Sequence, residues 1–217
     1  MHVIQRLLSG NPTTAPFMRY LAYLRNDVFK PGVVDIMISQ MVPGWQDMTI
    51  VEAGCGPGYK VRDPRFKGIS ITCVDVYKPY LKTCRGYGFK TVHADLKNID
   101  TIFEKGSFDI VLFIDVIEHF TKREGLRVLK KLEKIARKQI IVSTPVGFYP
   151  QDVECVPDKN PYQQHRSAWY PQDFKTRGYK VKVFRNYHRD IRQGSVKLVN
   201  EPDPVSASQL WASKRFD

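Results

Sequence analysis

Residues 51–60 read VEAGCGPGYK, with glycine at 54, 56 and 58 after a short apolar run and an acid, Glu52, just ahead of them. Glycine gives up backbone order, so three at alternate positions mark a chain that turns sharply or lets something approach it closely. The run Thr49–Ala53 has strand length, which puts the glycines at a strand's carboxyl end. Further strand-length runs follow at Ile71–Asp75, Thr91–Ala94, Phe108–Ile114, Gln139–Ser143, Lys180–Phe184 and Ser208–Ser213. Helical or turn-rich stretches separate most of them, and strands joined by crossovers form a parallel sheet covered on both faces. The predicted fold is therefore α/β: a doubly wound, mostly parallel seven-stranded sheet with helices on both faces. The last strand follows its predecessor through NEPDPVSAS without an evident helix, a return that only antiparallel pairing permits.

Ahead of Met48 the pattern is helical. Phe17, Tyr20, Leu21, Leu24 and Val28 recur on one side of a helix, and a second apolar run, GVVDIMISQMV, stops near Pro43-Gly44. Residues 1–45 are thus expected to form a helical cap or lid, and residues 46–217 the main domain. No stretch reaches the roughly 20 apolar residues of a membrane span. The first ten residues are too short and polar for a signal peptide, so the expected location is cytoplasmic. The four cysteines, Cys55, Cys73, Cys84 and Cys155, form no CxxC pair and no zinc-ligand spacing, so neither a metal nor a disulfide is expected.

The formal charge is +12. Between Lys122 and Lys138 eight basic residues face two acidic ones, with Leu126, Leu129, Leu132 and Ile135 at near-helical spacing. A second cluster, Arg177 to Arg192, interleaves six basic residues with Tyr179, Phe184 and Tyr187. Such patches attract anions, nucleic acid among them, and are equally what a solvated helix face and an exposed strand look like.

In an open α/β sheet, ligands bind outside the carboxyl ends of the strands. A dinucleotide fingerprint, GxGxxG, would place its third glycine at position 59, where this chain has Tyr59. The loop is therefore shaped for another ligand. Asp75 ends the second predicted strand, where a carboxylate can accept from both hydroxyls of a ribose. Asp95 follows the third, placed to meet an adenine edge, and the fourth ends in Asp115, Glu118 and His119.

This set of motifs resembles the class I S-adenosylmethionine-dependent methyltransferases of the type 11 group. The likeness is carried by EAGCGPG, VDVYKPYL, ADL and FDIVLFIDVIEHF, with IIVSTPVGF, NPYQQHRSAW and GYKV similar to that group's second half. The resemblance implies S-adenosyl-L-methionine as cofactor. It implies that Glu52, Gly54, Cys55, Gly56 and Gly58 wrap the methionine portion and that Asp75 holds the ribose, with Val76 against the adenine. Asp95 and Leu96 would border the adenine ring, and Ile114 and Asp115 would lie near the sulfonium. Pro57 departs by stiffening the loop, and Pro64 breaks the first crossover helix.

Methyl transfer needs a base only where the acceptor has a proton to lose. Two histidines are candidates. His119 is either a base or a packing group beside the cofactor, and its neutral form prevails near pH 7 if its pKa stays at about 6.5. His165 is either catalytic or fixes the start of the helix at Pro171. The long segment from Val146 to Ala168 suits a polar acceptor with flat parts, through Phe148, Tyr149, Tyr162, Gln164, Arg166 and Trp169. The leading expectation is methylation of a hydroxyl, amine or carboxyl on a small or medium-sized metabolite. A nucleic-acid acceptor is the alternative prompted by the charge, and a non-catalytic binding protein is a third class. DVIE lacks the Asn/Asp-Pro-Pro-aromatic box associated with methylation of base amino groups, which leaves ribose and other base positions open.

Overall fold

The computed structural model describes residues 32–151, 159–188 and 207–216. Two compact units divide the chain, Met1–Ser39 and Gln40–Asp217. The described part of the first is residues 32–39, which carry most of helix α1 (Val33–Gln40). The expected helix around Phe17–Val28 lies outside the described residues, as does the question of a lid.

The second unit is built on one sheet. Its strands are β1 (Ile50–Ala53), β2 (Ile71–Asp75), β3 (Lys90–His93), β4 (Phe108–Ile114), β5 (Ala136–Pro145), β6 (Lys180–His188) and β7 (Ala207–Arg215). They lie in the order β3-β2-β1-β4-β5-β7-β6. Every residue of β4 is buried, as expected of a central parallel strand covered on both faces. The edge strand β3 keeps its residues partly or wholly exposed. β7 runs antiparallel to both β5 and β6, so the expected reversal at the last strand is observed.

The first crossover departs from a doubly wound pattern. Between β1 and β2 the described chain has turns and a single 3-10 turn, Pro64–Phe66, and no α-helix. Asp63 caps that turn by accepting from the Arg65 amide at 3.1 Å, and Pro64 opens it. The later connections carry helices α2 (Lys78–Gly86), α3 (Ile99–Ile102), α4 (Lys122–Ile135) and α5 (Pro171–Lys175).

The sequence prescribes α4 most fully. Thr121 and Glu124 form a reciprocal capping box, and Val128, Leu129, Leu132 and Ile135 are buried against the sheet. The amphipathic reading extended this helix to Lys138, whereas the chain turns into β5 at Ala136 because Ala136 pairs with Phe108 of β4. Gly125, in the first turns of α4, is set by packing. A methyl group there would lie 2.7 Å from the Trp169 ring and 3.2 Å from Ile117. Gly125→Ala should therefore destabilise the fold by about 1–3 kcal/mol through overpacking, although alanine is the better helix former. Chemical denaturation checks this, and a stability gain would contradict the packing shown.

At the amino-terminal rim, Thr49 donates its amide and hydroxyl to Asp109, each at 3.0 Å, and Arg137 donates to the same carboxylate at 2.7 and 2.9 Å. Burial pushes the Asp109 carboxyl up, and these bonds outweigh it and hold it below the usual range. That rim is thus fastened, and the opposite rim is left for ligands. Among the described residues, no helix is long and apolar enough to cross a membrane.

Candidate active site

β1 continues leftward through β2 to β3, and β4 returns to its other side, so the chain direction switches between β1 and β4. Adjacent crossovers diverge there and leave a crevice at the strands' carboxyl ends. A cavity of about 780 Å3 occupies this position. Most of the residues expected at the cofactor line it: Gly54, Cys55 and Gly56 from the loop, Asp75 and Val76 after β2, and Asp95 and Leu96 after β3. Asp115 and His119, beyond β4, close one side, and Tyr162, Gln164 and Arg166 close another.

The three glycines do different work. Gly54, at φ 72, sits where an added Cβ would fall 2.6 Å from Val116, so it permits close approach of the loop to the end of β4. Gly58, at φ 77, faces away from the cavity, with Cys84 Sγ 3.0 Å from a would-be Cβ. Gly56, at φ 55, has nothing within 4 Å of such a Cβ and forms part of the cavity wall. It is the position where backbone meets open ligand space.

Asp75 ties this loop to β2. Its Oδ2 accepts from the Gly56 amide at 2.9 Å and its Oδ1 from the Tyr77 amide at 2.8 Å. Each oxygen retains a lone pair for a ligand. Burial raises the Asp75 pKa, against the opposing pull of those two amides. Asp95 caps the turn Leu96–Asn98 through the Lys97 amide at 2.9 Å and pairs with the Lys97 ammonium at 3.3 Å. Glu52 lies beneath the loop, 1% exposed, and neither of its oxygens has a hydrogen-bond partner among the described residues. Burial pushes its carboxyl up to about 7, opposed by the charge of Lys60.

Asp115 is one of two non-glycine residues with positive φ among the described residues, at φ 56. Its Oδ1 accepts from Ser143 at 3.0 Å and Gln209 at 2.6 Å, so β5 and β7 hold a strained residue at the rim. Beyond it the turn Ile117–His119 presents two polar groups. Glu118 is buried and accepts from the Thr144 hydroxyl at 2.9 Å. Its carboxyl is pushed up to about 8 by burial, with the nearby charge of Asp115 adding to the effect.

The two candidate histidines meet. The rings of His119 and His165 pack edge to face with centroids 4.9 Å apart. His119 Nδ1 lies 3.2 Å from the Gln164 carbonyl, and His165 Nδ1 lies on the Tyr149 carbonyl. A carbonyl only accepts, so each Nδ1 carries the proton and each Nε2 the lone pair. Burial lowers both pKa values, that of His165 to about 4 with His119 contributing, so both rings are neutral at pH 7. Ligand atoms of Glu118, His119 and His165 all lie within 4.8 Å of one another. Two imidazoles fixed through Nδ1 beside a carboxylate are the donor set of a divalent-cation site. Sequence spacing did not announce it, because His165 arrives from 46 residues away by a loop.

Other expected residues stand elsewhere. Ile114 is buried within β4, Tyr149 contributes its carbonyl to His165, and Phe148 is 54% exposed outside the cavity. Trp169 is fully buried in the core, donating to Ser167 at 2.9 Å and packing on Phe174. Composition had marked these rings for an acceptor, but it does not encode which way a loop side chain points. The wall also includes Lys60, Tyr80, Lys97 and Asn160, which the sequence reading missed. Lys60, two residues past the last loop glycine, carried a readable signal in its charge.

Residues 51–141 match a family model described as a methyltransferase domain. A S-adenosylmethionine-dependent methyltransferase from Archaeoglobus fulgidus shares the fold at 15% identity and TM-score 0.58, covering 90% of this chain and 99% of that one. One from Mesorhizobium loti matches at 16% identity and TM-score 0.55, covering 85% and 99%. Magnesium protoporphyrin IX methyltransferase from Synechocystis, solved with bound S-adenosylmethionine, matches at 14% identity and TM-score 0.53, covering 84% and 76%. No curated protein sequence matches this chain significantly. Strand order, the glycine loop at the switch point and this match agree: residues 51–141 carry a methyltransferase domain, set in a sheet with the fold of S-adenosylmethionine-dependent methyltransferases.

Proposed function

We propose that the enzyme methylates a hydroxyl group, and that a divalent cation held by Glu118, His119 and His165 prepares that hydroxyl. One observation carries this reading: a carboxyl group and two neutral imidazoles converge within 4.8 Å, with His119 on the cavity wall. The cofactor pocket supports it. Gly56 leaves open space where a ligand would pass, and Asp75 keeps lone pairs for a ribose. S-adenosylmethionine supplies a methyl carbon made electrophilic by its sulfonium. The protein must then align an acceptor and, for an alcohol, help remove its proton. A neutral amine has a lone pair already and gains little from a cation, so the trio favours oxygen over nitrogen. A divalent cation held there would lower the pKa of a coordinated hydroxyl.

A ribose hydroxyl of a nucleic acid is the acceptor that accounts for most. Lys60, Lys97 and Arg166 line the cavity, and the net charge of +12 favours a polyanion. The DVIE segment argues against the amino groups of adenine and cytosine. A small polyhydroxylated metabolite is the second reading, favoured by the enclosed volume of about 780 Å3. The test is transfer of labelled methyl to short oligoribonucleotides, their deoxy counterparts and a metabolite extract, with manganese or magnesium and with chelator. The reading predicts label in the ribonucleotide only, abolished by chelator and falling steeply with salt. Label confined to the extract would select the metabolite, and transfer indifferent to chelator would remove the cation from the account.

A further inference from the structure

Three of the four cysteines meet beneath the glycine loop, although their spacing in sequence gives no sign of it. Cys55 comes from the loop after β1, Cys73 from β2 and Cys84 from the last turn of α2. Cys155 lies outside the described residues. The three Sγ atoms all lie within 4.8 Å of one another, and Cys55 and Cys84 are separated by 3.8 Å. Thiolates bound to one zinc-sized ion at about 2.3 Å stand roughly 3.8–4.0 Å apart, so the observed cluster needs little adjustment to share an ion. All three side chains are buried, Cys73 and Cys84 completely and Cys55 to 2% exposure. Cys55 also forms part of the cavity wall, which gives an ion and a fourth ligand, water, a way in.

We propose that Cys55, Cys73 and Cys84 form a three-thiolate site for a soft, thiophilic d10 cation of the zinc and copper(I) class, separate from the oxygen- and nitrogen-lined trio at Glu118. Soft thiolates select such ions, whereas the trio at Glu118 can take zinc and also harder ions. Binding would release the thiol protons to solvent as the sulfur–metal bonds form, with no change in oxidation state. The position gives the ion a purpose. Cys55 and Cys84 both lie against the Gly56 carbonyl, at 3.2 and 3.4 Å, and the Gly56 amide holds Asp75. An ion there would fasten the cofactor loop to β2 and α2 at once.

Cadmium titration of the whole chain tests this, because sulfur-to-cadmium charge transfer absorbs in the ultraviolet and nitrogen or oxygen ligands give no such band. The expected result is a band that saturates at one thiolate-bound cadmium per chain, retained in Cys155→Ser and His119→Ala and lost or reduced by a third or more in Cys73→Ser and Cys84→Ser. Zinc and copper(I) should each displace cadmium, and the tighter of them names the resident ion. Cadmium should also raise the thermal midpoint of His119→Ala, in which the other candidate site is removed, a readout independent of whether the serine variants fold. Absence of a stoichiometric band in the wild type, or its loss in Cys155→Ser, would overturn the proposal.

Discussion

Gly56→Val abolishes cofactor binding, with affinity for S-adenosylmethionine or its demethylated product falling at least about a hundredfold, roughly 2.7 kcal/mol. Two causes act together. The residue sits at φ 55, where a β-branched side chain is strained, and it stands on the cavity wall with nothing beyond its chain neighbours within 4 Å of an added Cβ. The variant should fold, since no neighbour is displaced, so the loss belongs to the ligand. Calorimetry measures it, and full affinity would reduce the loop to a turn. Asp75→Ala should act on the same equilibrium by about 1.5–3 kcal/mol, the worth of bonds to an ionised acceptor. Because Asp75 also accepts from the Gly56 and Tyr77 amides, part of that loss comes through the loop itself.

His165→Ala lowers turnover by about a hundredfold to ten-thousandfold, the range of a lost proton-handling or cation-holding group, while cofactor affinity stays unchanged. The split distinguishes chemistry from binding. His165 lies outside the cavity wall and touches the site through His119 and Glu118, so its removal leaves the nucleoside pocket intact. If His165 only fixed the loop, the variant would keep its response to manganese. If it holds a cation, the apparent manganese affinity should fall in parallel with turnover. A variant with unchanged turnover and unchanged manganese dependence would remove His165 from the chemistry.

The sheet was legible because parallel strands covered on both faces are nearly continuous apolar runs. β2 and β4 begin and end where the apolar runs do. β5 begins three residues before its run, since pairing with β4 recruits Ala136, Arg137 and Lys138 from a segment whose own pattern is helical. The cavity wall after β1, β2 and β3 was legible because loop glycines and strand-end acids occupy positions the topology fixes. Gly58 shows the limit: it belongs to the same motif and serves Cys84 and Phe89. The wall beyond β4 was half legible. Its histidines could be named, but their convergence with Glu118 depends on how residues 159–165 fold back across the rim, which no local pattern records. Trp169 illustrates the reverse error, a ring from that segment which completes the core above Gly125.

A structure with S-adenosylhomocysteine bound tests the central claim most directly. The account predicts ribose hydroxyls on Asp75, the amino acid portion over Gly54 and Gly56, and sulfur pointing toward Asp115 and His119. A nucleoside lodged anywhere but the carboxyl ends of β1 and β4 would contradict it.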